Sequence, residues 1–218
     1  MFEFRVPYPN YISAAPDLAM GLTFFVTWID PTALGDNMIN YLILVMLMEF
    51  ITIHSSAFFG ATMISTLPKT KKSLALLGLG LFYTMFVAAF SLSSGEWWPI
   101  VVFWGMIFNR LMSVVLGKSL DGRQQVSMMS MWVVGTVCYL GGVFVTVLAP
   151  VPELGVTYEY VQSLHLTEQG LWFDEPHRLV AFGFLYFTLI GFIEIKLEKW
   201  TQWINPNTFG SVKSQLLR

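Results

Sequence analysis

Long apolar runs separated by short polar breaks set the pattern of this chain. Residues 38–67, 73–92, 97–117, 126–149 and 177–196 each reach the roughly 20 residues a helix needs to cross a bilayer core. The first run is the longest. At about 30 residues it would extend ~45 Å, so it must tilt, kink or project beyond the hydrocarbon. Residues 16–29 form a shorter run that reaches only ~21 Å as a helix. Pro16 and Asp17 read as its start, and Asp30 and Pro31 as its stop. A re-entrant or interfacial half-helix fits that length better than a full span, although extension back to Ile12 would just reach across.

The pattern therefore predicts an all-α, polytopic transmembrane helix bundle with five spans, six as the alternative, and an N-terminal half-helix. It forms a single transmembrane domain. Residues 1–37 hold the half-helix, 38–149 hold four spans, 150–176 form an outer loop, 177–196 the last span and 197–218 a tail. The outer loop interleaves Tyr158, Tyr160, Trp172 and Phe173 with Glu153, Glu159, Glu168, Asp174 and Glu175. Such aromatic content predicts an ordered cap on the membrane surface.

Composition agrees, since 55% of residues are hydrophobic and 12% charged, against the roughly 25% charged residues of a soluble domain. The lipid bilayer is thus the first partner. A net charge of −2 excludes a nucleic-acid footprint, which requires clustered basic residues. The cations are sorted by loop: Lys69, Lys71 and Lys72 in one, Lys118 and Arg123 in the next but one, and Lys196, Lys199, Lys213 and Arg218 at the C-terminus. Residues 93–96 and 150–176 contain no Lys or Arg. By the positive-inside rule the basic loops and the C-terminus face the cytoplasm. Five spans would then leave the N-terminus outside. The start of the chain lacks the basic and apolar regions of a signal peptide, so no cleaved leader is expected. Cys138 stands alone and reads as a small packing residue.

Glu49 is the residue most informative about chemistry, because a carboxylate inside an apolar span is costly unless protonated or paired. Helical spacing puts Glu49, Thr52, Ser56, Gly60 and Met63 on one face. That face is expected to look inward, either as a packing seam of small residues or as a polar binding site. His54 lies about 140° around the helix from Glu49 and so meets a different neighbour. Asn109 and Arg110 fall within the run 97–117. Arg110 either snorkels toward the headgroups or pairs with a membrane carboxylate, Glu49 being favoured over Glu194.

In the outer loop, His165, Asp174 and His177 are candidate metal ligands, with Glu168 and Glu175 nearby. The competing reading is that Asp174 and Glu175 cap the helix that follows. No haem, nucleotide or iron–sulfur motif is visible, and any cofactor is unknown. Gly80, Thr84 and Ala88, like Gly141 and Gly142, read as close helix packing.

A small-solute or ion translocating unit accounts best for an inward Glu and Arg, and its small size would call for a homo-oligomer. A non-catalytic subunit or scaffold bound to a membrane-protein partner is the alternative. An intramembrane enzyme would need Glu49, His54 and Arg110 to converge as acid, base and anion holder, which no spacing compels.

Overall fold

The structure, a computed structural model, describes residues 9–117, 122–164 and 170–204. These form α1 (Pro9–Ile29), α2 (Met38–Ile64), α3 (Lys69–Ser94), α4 (Trp98–Val115), α5 (Gly122–Leu148), α6 (Tyr158–Ser163), α7 (Leu171–Asp174) and α8 (Pro176–Ile204). There is no strand among the described residues. Five helices are long and apolar enough to cross a membrane: α2, α3, α4, Met128–Leu148 of α5 and Pro176–Lys196 of α8. The protein is a transmembrane helical bundle. Helix α8 continues past the expected end at 196 to Ile204.

The N-terminal helix is apolar over less than a span, as expected, but departs from expectation in its start. It starts at Pro9 and not at Pro16, runs 21 residues and so extends ~31 Å, although its apolar part, Ala14–Ile29, is shorter than a span. Pro16 sits inside the helix, where it forfeits one backbone hydrogen bond. Packing outweighs that loss, because α1 lies along α8 with small residues at the seam. A Cβ on Gly191 would meet Leu18 at 2.7 Å, one on Gly21 would meet Thr188 at 2.7 Å, and one on Gly183 would meet Phe24 at 2.2 Å. Residue numbers fall on α8 as they rise on α1, so the two helices are antiparallel. The start of α1 is therefore at the end of the bundle where α8 finishes.

Helix α2 is the hub, packing on α1, α3, α5 and α8. One apolar core gathers Phe24, Met46, Tyr139, Phe182 and Tyr186. A second gathers Met48, Phe59, Tyr83, Phe103 and Ile107. At one end of the bundle the Lys72 ammonium donates to the Met63 carbonyl at 2.9 Å, and Lys69 reaches Gly117. The loops after α2 and α4 thus share that end. At the other end the loop of residues 150–176 is tied to α1: Gly155 N–H donates to the Trp28 carbonyl at 3.0 Å, and the Trp28 indole donates to the Pro152 carbonyl at 2.9 Å. Val156 is fully buried there.

Candidate functional site

Glu49 and Ser56 leave α2 on one face about 10 Å apart along the axis, and His54 leaves it in a different direction. Glu49 points to α8. Its Oε1 accepts a hydrogen bond from the Tyr186 hydroxyl at 2.5 Å, and Asp17 of α1 is close enough to interact with it electrostatically. The Tyr186 ring packs edge-on against Tyr139 at 5.5 Å, whose hydroxyl donates to the Met46 carbonyl at 3.0 Å. Asp17 is thus an interior residue of α1 facing this polar cluster and not a helix start.

The expected pairing of Glu49 with Arg110 is absent. Arg110 donates to Ser56 Oγ at 3.4 Å, and its guanidinium lies 4.8 Å from the centre of the Phe59 ring. The reason is axial: Ser56 and Phe59, two to three turns further along α2, lie level with Arg110, while Glu49, about 10 Å before Ser56, lies level with Tyr186 of α8. Thr52 is partly buried and gives its carbonyl to Ser55 Oγ at 3.2 Å. Asn109 is exposed, and its carbonyl accepts from Ser113 Oγ at 3.0 Å. The expected inward face therefore exists from Glu49 to Gly60 and is divided between α8 and α4.

His54 is exposed on the side of the bundle. Its Nδ1 lies 2.9 Å from the Tyr83 hydroxyl, and its ring stands edge-on to Tyr83 at 5.8 Å. In front of it runs a groove of about 330 Å³ between α2 and α5, lined by Phe50, Ile53, His54, Ala57 and Phe58 from α2 and by Trp132, Thr136, Tyr139 and Leu140 from α5. Phe50, Phe58, Trp132 and Leu140 are all exposed, and they lie away from the helix ends, so the groove opens sideways. Its polar groups are mostly engaged by backbone. The Trp132 indole donates to the Ile53 carbonyl at 3.0 Å and Thr136 Oγ1 to the Trp132 carbonyl at 2.8 Å.

In the loop of residues 150–176, His165 lies outside the described residues. No cluster of three or more His, Cys, Asp or Glu able to hold a metal occurs among the described residues. The Asp174 carboxylate accepts from Gly170 N–H at 3.3 Å, and His177 is buried, 4.0 Å from Glu175. Glu175 pairs with Arg178, whose hydrogen bond holds its carboxyl below the usual range. Arg178 also donates to the carbonyls of Thr146 and Ala149 at 2.7 and 3.1 Å, closing the C-terminal end of α5.

Sequence reasoning missed Tyr83, Tyr139 and Tyr186, the partners that matter most. The signal was there. Each lies well inside an apolar helix, where a hydroxyl must find a partner because no water is present. Comparison of the chain with protein-family models, with characterised proteins and with solved structures returns no match.

Proposed function

We propose that this protein handles a small lipid-soluble solute, which enters sideways from the bilayer into the groove between α2 and α5. The observation that carries the reading is the groove itself, open laterally, walled by aromatic rings and ending on His54. Pockets for small molecules have this composition, mostly apolar with a few placed polar groups. Translocation is the natural extension, since a solute held between two spanning helices can be passed between leaflets. An ion pathway through Glu49 has less support, because its carboxylate is covered by Tyr186 and does not line the groove. Glu49, His54 and Arg110 meet different neighbours, Tyr186, Tyr83 and Ser56, whereas an intramembrane enzyme would need them to converge.

Native mass spectrometry of protein purified in mild detergent tests the proposal, using Ala57→Phe to fill the groove. The wild type is expected to carry an extractable small molecule in stoichiometric amount, with occupancy at least about tenfold lower in the variant. Equal extractable content in the two proteins would overturn the reading. A co-purifying protein shed by Ala57→Phe would also overturn it, by making the groove a subunit interface.

A further inference from the structure

The hydrogen-bonding state of His54 restricts what the groove can hold. This step rests on the groove being a solute site and concerns the class of solute. Tyr83 is buried, and its hydroxyl has one partner among the described residues, His54 Nδ1. A hydroxyl proton in hydrocarbon goes to an available acceptor, because leaving it unmade is costly. Tyr83 therefore donates and Nδ1 accepts. In the neutral ring, acceptance at Nδ1 fixes the proton on Nε2. The Nε2–H has no partner among the described residues, and His54 lines the groove.

Three further constraints apply. Among the described residues no Asp, Glu, Lys or Arg lines the groove, so a charged solute would be held there without a counter-ion, at high cost in this medium. His54 lies within α2, about 15 Å along the helix from Ile64 and about 24 Å from Met38, so the polar group of the solute sits deep in the hydrocarbon, out of reach of a phospholipid headgroup. Phe50, Phe58, Trp132 and Tyr139 present rings around the donor, a setting that stacks a flat π-system.

We infer that the solute is a neutral, lipid-soluble molecule whose planar ring carries a carbonyl oxygen, and that this oxygen accepts a hydrogen bond from His54 Nε2–H. Aryl ketones and quinone-type rings with apolar tails meet these requirements, and plain acyl chains do not. The probes are undecanophenone and undecylbenzene, which share a ring and a chain and differ in the carbonyl oxygen. Each is equilibrated with the protein in nanodiscs, and bound probe is measured against empty nanodiscs. The ketone is expected to bind the wild type about tenfold more tightly than the hydrocarbon, the worth of one buried hydrogen bond. His54→Phe should abolish that preference, so that the variant binds the two probes equally. His54→Gln, which restores an N–H donor, should recover part of it. If wild-type protein binds both probes equally and Ala57→Phe releases both, the carbonyl class is wrong while the solute site stands. If neither probe binds beyond empty nanodiscs, the solute site fails as well. The wild-type comparison decides even if a variant does not fold.

Discussion

Tyr186 gives Glu49 what Arg110 does not. A neutral hydroxyl 2.5 Å from the carboxylate stabilises it without burying a second ionic group, whereas a buried ion pair would have carried two desolvation costs. Tyr186→Phe should destabilise the protein by roughly 1–3 kcal/mol, the penalty for a buried acceptor left unmet. Glu49→Gln in the same chain should give less than the sum of the two single effects, since residues in contact couple. Glu49→Gln with Arg110→Met should add within about 0.5 kcal/mol, because the two side chains share no partner. Thermal unfolding in detergent measures both cycles, and coupling between Glu49 and Arg110 would contradict the geometry. Burial of Glu49 was legible in the sequence because a charge inside an apolar run is conspicuous. Its partner was not, since eight tyrosines all resemble interfacial residues until depth is known. In the loop before α8, Glu175 is held below its ordinary range by Arg178. Its stabilising effect is therefore present above about pH 4.3 and is lost as pH falls through the lower folded value. Glu175→Gln should flatten that acid limb of Tm against pH.

Between elements, glycine sets how closely backbones approach. A Cβ on Gly155 would stand 2.1 Å from the Ile29 carbonyl oxygen, a backbone atom that cannot rotate away. Gly155→Ala should cost about 1–3 kcal/mol through overpacking and free the outer loop from α1, read as a lower Tm and faster proteolysis after residue 149. Gly141→Ala, with open space around it, is the matched control and should be close to silent. Spans were legible from hydropathy alone because lipid demands about 20 apolar residues whatever the neighbours. The start of α1 was misread because Pro16 and Asp17 carry a local stop-and-start signal, and the opposing signal, a tight seam on α8, is made with residues more than 150 positions away.

For the molecule as a whole, the antiparallel seam fixes relative sidedness. The beginning of α1, the loop after α2 and the end of α8 all belong to one end of the bundle. In a Cys138→Ser background, Tyr11→Cys and Thr66→Cys should label from the same side, and Asn37→Cys from the other. Labelling of Tyr11→Cys together with Asn37→Cys from one side would contradict the antiparallel seam. If the Lys69 end is cytoplasmic, as its charge predicts, the first of these pairs labels only after permeabilisation.

The same seam has a consequence for biosynthesis. Helix α1 leaves the ribosome well before its closest companion, α8, which begins about 150 residues later. At the ordinary pace of translation that separation is roughly 7–30 s. Through this interval Gly21, Phe24 and Asp17 face lipid or a chaperone in place of α8, and a carboxylate such as Asp17 is poorly tolerated there. Chains cut short before Pro176 should accordingly be degraded even though four of their helices can already insert, and supplying α8 as a separate peptide should rescue them.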